Sequence, residues 1–298
     1  MTVDPALASG SVGEQFARAV AANAGADVRI ELPVALPAVF PLAAHRPRYT
    51  VRHLVRSATV AGEPVTYVAE PPAAGPDTAG ARYADTPEAA FVPRFDQAGL
   101  TAATATVPLP GGLLDDPVLL ARHVDYRVVV RLCTVENEVL LRGSADGAVT
   151  GLLRLPALRR RTTDRPLDEQ LTAAAADVEE MGGSCDGVVA HPRLYWQLVH
   201  SGLLGRLADA GVRVSRTRMI EPGRALLGDF RAAVTLLETG TSELALRRGA
   251  APGCGDLVEA TVRIGLAVHL PQHFLLLETA GGATAGGGAV ETLGGGRA

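Results

Sequence analysis

The feature that most constrains the fold is a long helical stretch in the middle of the chain. Asp115 and Asp116 can cap a helix, Pro117 suits a first helical turn, and Gly143 is typical of a helix end. The 27 residues from 116 to 142 predict a helix about 40 Å long, which is long for a compact domain. Its apolar side chains cover more than half of its circumference, so we expect other elements to bury it on several sides.

Short β-type segments precede this helix. The stretches EPVTYVAE, AAFVPRFD and LTAATATVPLP alternate or are rich in β-branched and aromatic residues, which predicts three strands. A shorter element in TVRHLVRSATV leads into them. Residues 71–88 predict a mobile loop, because they are rich in Pro, Gly and Ala and show no periodicity. Residues 50–110 as a whole hold too little apolar material to fold alone, so we expect them to lie on another surface.

The N-terminal residues predict an arm. Ser11 and Glu14 have the spacing of a capping box for a short helix that ends at Gly25. The next stretch, IELPVALPAVFP, contains three closely spaced prolines. Since proline restricts both itself and the residue before it, we expect this stretch to be extended and irregular.

Helix and strand patterns alternate after the long helix. An Arg-rich link, RLPALRRRTTDRP, is followed by a helix in LDEQLTAAAADVEEM and a buried strand in DGVVAHP. A second helix then runs into a Gly-punctuated loop, and further strands continue to residue 278. Residues 165–278 therefore predict an α+β arrangement, a sheet with flanking helices. Residues 279–298 have the composition of a flexible Gly-rich tail.

The composition limits the cellular location and the binding partners that we expect for the chain. Apolar residues make up 47% of it and charged residues 20%, but no apolar run approaches the roughly 18 residues that span a bilayer. The surplus apolar surface therefore predicts burial between subunits. The net charge of −4 does not suit a polyanion binder. Three widely spaced cysteines and the lack of a secretory pattern predict a reduced, cytoplasmic protein without a membrane partner.

Candidate catalytic and metal-binding residues are few. Cys185 in GGSCDG would need a positioned base, for which only His191 is near in sequence. The strand also follows this turn, whereas a nucleophile elbow requires the strand to precede it. His269 and His273 flank Pro271, which breaks a helix, and no third ligand is near them. We favour structural roles for these four side chains.

The absence of lysine excludes two kinds of cofactor chemistry, since all 28 Lys and Arg positions are arginine. Schiff-base and P-loop chemistry both require a lysine. The glycines of the tail follow no strand and open no helix, so the dinucleotide fingerprint is not met. We therefore expect no cofactor and no enzyme.

Charged side chains leave two further interpretations. The Arg-rich link can contact nucleic acid, or it can be a solvated or interface-paired link, which we favour because no aromatic residues interleave with its arginines. Glu136 and Glu138 lie two apart on the long helix and point in different directions. We expect both glutamates to pair with arginines of neighbouring elements.

The order of elements resembles the major capsid proteins of tailed phages of the Hong Kong 97 type, and the encapsulins that share their fold. Five stretches in the correct order carry the resemblance, which covers almost the whole chain. They are TVRHLVRSATVAGEPVTYVAE, residues 104–153 from TATVPLP to GLL, CDGVVAHPRLYWQL, MIEPGRALLGDF and GLAVHLPQHFLLLE.

The resemblance implies an α+β Hong Kong 97-type capsid fold with a defined division of the chain. Its parts are an N-terminal arm (1–49), an extended β loop over a neighbouring subunit (50–112), the spine helix and link of a peripheral domain (113–164), an axial domain with returning peripheral strands (165–278) and a flexible tail (279–298). The long helix is then the spine of the peripheral domain.

The resemblance also implies a function. The chain is expected to self-assemble in about sixty copies into an icosahedral encapsulin nanocompartment of the bacterial cytoplasm, with cargo enzymes at the inner face. It is closer to phage-like encapsulins linked to biosynthetic gene clusters than to the shortest ferritin-cargo type. The absence of lysine excludes the Lys cross-link of some phage shells. The length of the arm, about 40 residues, favours an encapsulin over a virion.

Two alternatives stay open, a phage or prophage capsid that packages DNA and a soluble enzyme with an unrecognised site. The first 40 residues hold two arginines against four acidic residues. Because DNA would be attracted by a basic inner surface, this balance favours protein cargo.

A pore is a further expectation from the resemblance, which places the axial tip at residues 201–211, facing a symmetry axis. Around such an axis each charged side chain becomes a ring that biases the passage of ions. The candidate pore loop consists of Ser201, Gly202, Gly205, Arg206, Asp209 and Gly211. The alternative is a surface loop without a pore function.

Overall fold

Two five-stranded sheets and a two-stranded sheet organise the protein. The computed structural model describes residues 10–39, 51–71, 91–156, 158–251, 253 and 255–279. Its strands are β1 (Val28–Leu32), β2 (Arg56–Thr59), β3 (Val65–Ala69), β4 (Arg94–Ala98), β5 (Thr101–Pro108), β6 (Arg159–Thr163), β7 (Gly187–Ala190), β8 (Arg213–Arg216), β9 (Arg224–Gly228), β10 (Val234–Ala251), β11 (Gly255–Val268) and β12 (Phe274–Thr279).

Helices pack on both large sheets. The α-helices are α1 (Val12–Ala22), α2 (Leu36–Val39), α3 (Pro117–His123), α4 (Val129–Arg142), α5 (Leu167–Glu179), α6 (Pro192–His200), α7 (Leu203–Asp209) and α8 (Phe230–Ala233). Short 3₁₀ turns cover Val51–His53, Leu113–Asp115, Leu152–Arg154 and Pro271–His273. Among the described residues, no helix is long and apolar enough to cross a membrane.

The main sheet has the order β1-β10-β11-β5, with β2 added in parallel on β10. Its centre is the long antiparallel pair β10 and β11. Along β5, buried and exposed residues alternate strictly. Ala103, Ala105 and Val107 face the core, and the threonines between them face outward, as their spacing in the sequence predicted.

The predicted long helix is confirmed, with one irregularity. Asp116 caps α3 by accepting from the backbone N–H groups of Val118 and Leu119, each at 3.0 Å. A π-helical stretch, Val124–Val128, joins α3 to α4 without a break. Gly143 ends the helix with φ +87°, a conformation that favours glycine. Together, α3, the π-helical stretch and α4 are called the spine helix below.

The spine helix is buried on several sides, as its apolar pattern predicted. It contacts β5, β11, α2 and the 3₁₀ turn Leu152–Arg154. Leu132, Cys133 and Leu141 are fully buried in the larger of the protein's hydrophobic cores. The π-helical stretch had no signal in the sequence.

The predicted N-terminal helix and its capping box are confirmed in α1. Phe16 of α1 is fully buried in the main core, and α1 lies so close to α3 that a Cβ on Gly13 would sit 2.0 Å from the carbonyl oxygen of Ala121. Over its described residues, the predicted arm is therefore packed into the core. It is not a free extension there.

The expectation of an extended, irregular stretch after α1 is wrong for the described residues. Residues Val28–Leu32 form β1, which pairs with the edge of β10, and Leu36–Val39 form one helical turn. The strand ends before Pro33, and Pro37 lies in the first turn of the short helix, where its missing N–H costs nothing.

The described residues of the stretch 50–110 form the predicted strands, and two of these strands are part of the main sheet. The strands β2 and β5 belong to the main sheet, because β5 has an apolar face that β11 and the spine helix cover. Only β3 and β4 form a separate antiparallel hairpin. The predicted loop 71–88 lies outside the described residues from residue 72 onward.

The second sheet has the order β6-β12-β9-β7-β8. The helices α5, α6 and α7 contribute, with this sheet, to a smaller hydrophobic core. This is the sheet with flanking helices that the sequence predicted for residues 165–278, whereas β10 and β11 of the same range belong to the main sheet. The tail lies outside the described residues from residue 280 onward.

The Arg-rich link is corrected by the structure, because its middle is an edge strand. Residues Arg159–Thr163 form β6, which pairs in parallel with β12. Arg159 donates to the carbonyl oxygens of Gln272 at 3.1 Å and Asp177 at 2.8 Å. Arg161 forms an ion pair with Asp177. These two arginines thus bind acceptors of the protein itself.

Candidate functional site

A buried ionic junction joins three parts of the main core. Arg52, in the turn Val51–His53, forms two hydrogen bonds to the Glu136 carboxylate of the spine helix, at 3.0 Å and 2.6 Å. Its other terminal nitrogen donates to Glu238 of β10 at 2.6 Å. The Glu136 side chain is fully buried and the Arg52 side chain is 6% exposed. The junction therefore connects the start of the 50–112 stretch to the spine helix and the main sheet.

The protonation of this junction follows from its burial. Burial raises the pKa of Glu136, and the hydrogen bonds and charge of Arg52 counteract this rise. Burial by itself would lower the pKa of Arg52, but Glu136 and Glu238 outweigh it, so the pKa of Arg52 lies above its usual value. Arg52 is thus held as a cation that both carboxylates share.

A second bond secures the same turn. The side-chain oxygen of Asn137 accepts from the backbone N–H of Val51 at 2.6 Å. Adjacent spine-helix residues, Glu136 and Asn137, therefore hold the side chain and the backbone of one turn. Since buried polar groups of this kind are costly to leave unpaired, the turn has one favoured position on the helix.

The hairpin of β3 and β4 has the opposite character, because much of its apolar surface is uncovered. Phe95 is 82% exposed, and Val68 and Val92 are also exposed. These residues are called the hairpin face below. Individual exposed apolar residues are ordinary, but a cluster of them on one hairpin is typical of an interaction surface.

The hairpin is tied to the main sheet near both of its ends. Glu63 accepts from the backbone N–H of Leu100 at 2.9 Å and pairs with Arg263. The ring of His269 contacts the carbonyl oxygen of Val68 through Nδ1 at 2.8 Å. Tyr67 packs edge-on against the His269 ring, with 5.4 Å between the ring centroids. The hairpin is therefore held near both ends of β3 and open on its outer face.

The overall arrangement of the sheets and the spine helix is shared with solved capsids. No protein-family model and no curated protein matches the chain. A virus-like particle from Pyrococcus furiosus aligns at 12% identity and TM-score 0.50, covering 77% of this chain and 92% of that chain. Mycobacterium phage Adephagia aligns at 13% identity and TM-score 0.56, covering 77% and 89%. The capsid of the empty GTA particle aligns at 16% identity and TM-score 0.52, covering 79% and 91%.

This protein has the Hong Kong 97-type capsid fold. The resemblance seen in the sequence is thereby confirmed at the level of the fold. The sequence also predicted a structural protein and no enzyme, and the compared structures are a virus-like particle, a phage and a capsid.

The predicted pore loop of this capsid fold is a helix in the structure. Leu203–Asp209 form α7, which Gly202 and Gly211 flank with φ values of +73° and +82°. The apolar side chains of α7, above all Leu203, pack into the smaller core, which explains why the stretch folds as a helix despite its glycines. Ser201 donates to the carbonyl oxygen of Leu198 at the end of α6.

The other pore candidates face outward on this helix. Gly205, Arg206 and Asp209 are exposed, and a Cβ on Gly205 would meet no neighbouring atom. Only the expectation of a loop is corrected. A place at a symmetry axis is a property of an assembly, and it stays a prediction.

The cysteine candidate is a buried thiol. Cys185 is 6% exposed, and burial raises its pKa to about 12. The thiol is therefore protonated at neutral pH, and a protonated thiol is a poor nucleophile. His191 caps α6 by accepting from the backbone N–H of Arg193 through Nδ1 at 3.1 Å.

The two histidines beside Pro271 lie in different surroundings. Nε2 of His269 lies 3.0 Å from the Thr235 hydroxyl. His273 is buried, with Nδ1 3.9 Å from the Asp229 carboxylate. Within the described ranges, no group of three or more His, Cys, Asp or Glu side chains is arranged to hold a metal ion.

The predicted pairing of the spine-helix glutamates with arginines of neighbouring elements is confirmed for Glu136 and wrong for Glu138, whose arginine lies on the same helix. Glu136 pairs with Arg52, whereas Glu138 is exposed and pairs with Arg142 one helical turn later at 3.6 Å. Sequence reasoning missed Arg52 and Glu238. These residues lie 84 and 186 positions from their partners, Glu136 and Arg52 respectively, and no local pattern connects them.

Proposed function

We propose that this chain is an encapsulin-type shell subunit, which assembles with copies of itself into a closed icosahedral particle of the bacterial cytoplasm and encloses protein cargo. The observation that carries the proposal is the capsid fold, together with the uncovered hairpin face. Fully burying a side chain as large as Phe95 stabilises an association by about 1.5–3 kcal/mol. A neighbouring subunit is the partner that the fold suggests for this surface.

A second apolar surface supports assembly. Val118, Leu119 and Tyr126 are exposed on the N-terminal half of the spine helix, with exposed fractions of 62%, 51% and 55%. Neighbouring subunits that cover both this surface and the hairpin face would use contacts of the head-to-tail type, which close into rings. This also fits the surplus of apolar residues in the composition.

Several parts of the proposal concern the arrangement within the particle. The hairpin of β3 and β4 belongs to an extended loop (50–112) that lies over a neighbour. The second sheet belongs to an axial domain (165–278), and α7 lies at its tip near a symmetry axis. Arg206 and Asp209 then form charged rings around a pore.

The charge of the proposed arm favours protein cargo over DNA. Among the described residues of the proposed arm, Glu14, Asp27 and Glu31 stand against Arg18 and Arg29. If this segment lines the interior, it adds no positive charge for DNA to bind. The second candidate is a phage or prophage capsid, which the alignment with Mycobacterium phage Adephagia favours.

The mass of the purified chain tests the proposal. Sixty copies of a 30.8 kDa chain make a particle of about 1.8 MDa. We expect light scattering to give a mass in this range at physiological salt. A single population of monomers or dimers would contradict the shell function. The absorbance ratio of the particles at 260 and 280 nm, before and after nuclease treatment, separates protein cargo from packaged DNA.

A further inference from the structure

An arginine-lined groove opens between the spine helix and the second sheet. Its first compartment has a volume of about 630 Å³. Arg142 of α4 lies on one side, and Trp196 of α6 with Arg216 and Arg218 lies on the other. Asn137, which binds the turn Val51–His53, also lines the groove, but neither the fold nor the proposed function assigns the groove a role.

Two guanidinium groups of this compartment have no carboxylate partner among the described residues. Arg216 lies 4.2 Å from the centroid of the Tyr195 ring and 5.4 Å from that of Trp196. Stacking of this kind fixes the plane of a guanidinium and leaves its N–H edge free to donate. Arg218 is exposed beside it. Arg142 is held in place, because its Nε donates to the Met219 carbonyl oxygen at 3.1 Å.

A second compartment of about 330 Å³ continues the groove and shares Arg142 and Met219 with the first. Arg160 and Arg224 line it, and each lies 3.1 Å from Glu278. Arg154 also lines it and is exposed. No ion pair of Arg154 occurs in the part of the chain that the structure describes. The groove therefore presents three unmatched cations, Arg154, Arg216 and Arg218.

The chemistry of the groove favours carboxylates over a phosphate backbone. Planar guanidinium groups bind carboxylates through paired hydrogen bonds. Two acidic side chains, Glu138 and Glu221, also line the groove. They would repel a strand with a charge on every nucleotide, whereas a peptide can place neutral residues opposite them. Single-stranded nucleic acids also use several stacking aromatics, and among the described residues Trp196 is the only exposed aromatic that lines the groove.

We propose that this groove binds an acidic peptide segment of a partner protein, with its carboxylates on Arg154, Arg216 and Arg218 and an apolar side chain against Trp196. Trp196 is 59% exposed, so its ring offers an open apolar surface next to the cations. Because one chain supplies all the lining residues, the site exists in a single subunit. It goes beyond the shell function and does not depend on it.

The position of Trp196 provides a direct measurement, since it is the only tryptophan of the chain. The purified protein, in whatever assembly it forms, is titrated with a synthetic peptide of about twelve residues that combines Asp, Glu and two Leu. Two further titrations use the same peptide with Asn and Gln in place of the acids, and an oligodeoxythymidylate. We expect the acidic peptide alone to change the tryptophan emission and to release or absorb heat in calorimetry.

Substitutions of the groove arginines test where the acidic peptide binds. We expect the double variant Arg216→Ala and Arg218→Ala to bind the acidic peptide with an affinity roughly tenfold or more lower in calorimetry, because two charge-assisted contacts are lost. Arg216→Lys keeps the charge but not the planar fork, and is expected to weaken binding several-fold. Arg131→Ala removes an exposed arginine of α4 outside the groove and should leave the affinity unchanged.

Three results would overturn the proposal. They are tighter binding of the oligodeoxythymidylate, equal binding of the neutral peptide, or an unchanged affinity in the correctly folded double variant. Circular dichroism and the elution volume of each variant establish its fold and assembly. A protein that stays monomeric but binds the acidic peptide would contradict the shell function and support this site.

Discussion

The buried junction and the hairpin face of this protein differ in whether their side chains have partners within the chain. At the junction, Arg52 is matched within the chain by Glu136 and Glu238, and its side chain is 6% exposed. On the hairpin, Phe95 is 82% exposed and has no cover among the described residues. The difference suggests that one region stabilises the subunit and the other stabilises contacts between subunits.

The two regions are also connected along the chain. The turn Val51–His53 precedes β2, and β3 follows it within the same stretch. A hairpin that is held near both ends and open on its outer face suits a segment that must bind a partner from a defined direction. Changes at the two regions should therefore separate folding from assembly.

The largest effect is expected at the junction. Arg52→Ala leaves Glu136 buried without its cation, and breaking a buried pair in this way costs about 3–5 kcal/mol. We expect a clearly lower urea midpoint for this variant, followed by circular dichroism. The control is Arg131→Ala, an exposed arginine for which the change should stay within about 0.5 kcal/mol. Equal midpoints for the two variants would show that the junction does not hold the subunit together.

A companion variant sharpens this test. Arg52→Met combined with Glu136→Gln removes the cation and one of the two buried carboxylates. Replacing buried ion pairs by neutral groups is often far less costly than breaking them, so the double variant should recover part of the lost stability. A double variant as unstable as Arg52→Ala would instead point to lost packing as the cause.

The hairpin face should respond in the opposite way. Phe95→Asp places a charge on a surface that is exposed in the subunit, so its stability should change by no more than about 0.5 kcal/mol. Assembly should fall at least about tenfold at equal concentration, because burying a charge in an apolar contact is unfavourable. Light scattering measures the particle fraction, and Phe95→Leu is the control that keeps the surface apolar. Normal particles from Phe95→Asp would show that the hairpin face is not part of the interface.

A smaller, pH-dependent effect is expected at the Glu63 end of the hairpin. The backbone N–H of Leu100, followed by Arg263, holds the pKa of Glu63 below its usual value. The ionised form is therefore favoured in the folded state. Its contribution is present above the ordinary pKa near 4.5 and is lost as pH falls through the lowered value.

We expect hydrogen exchange in β3 and β4, corrected for intrinsic rates, to increase below the ordinary pKa of Glu63 while the spine helix stays protected. Glu63→Gln should show the faster exchange of the hairpin already at neutral pH. The same acid response in wild type and Glu63→Gln would assign it to another group.

The smallest effect concerns α7. Arg206 and Asp209 are exposed, so replacing both by Ala should leave fold and assembly intact. If α7 lines a pore, the turnover of charged substrates by an enclosed enzyme should change, whereas that of neutral substrates should not. Unchanged turnover of anionic and cationic substrates in assembled particles would show that α7 does not line a pore.

Local sequence patterns predicted much of the fold. The ends of the spine helix follow from Asp116, Pro117 and Gly143, and the capping box of α1 follows from Ser11 and Glu14. The alternation along β5 predicted its buried face. These features depend on contacts between residues a few positions apart, which is why composition and spacing reveal them. The five resembling stretches pointed to the capsid fold because their order reflects the topology.

Several elements were decided only by the tertiary structure. The strand β6 forms because the edge of β12 and the acceptors of Asp177 and Gln272 lie beside an arginine run that has no strand pattern of its own. The helix α7 forms within a Gly-rich stretch because Leu203 has an apolar core to enter.

Local sequence patterns account for the spine helix, its caps, most of the strands and the apolar surplus. Which charges meet depends on the fold. It brought Arg52 to Glu136 across 84 positions and to Glu238 across 186, and it gathered Arg154, Arg216 and Arg218 along one groove. Any of the 28 arginines could pair with any of the 32 acidic residues. Their attraction acts through space, so the fold chooses the partners and leaves no local pattern in the sequence.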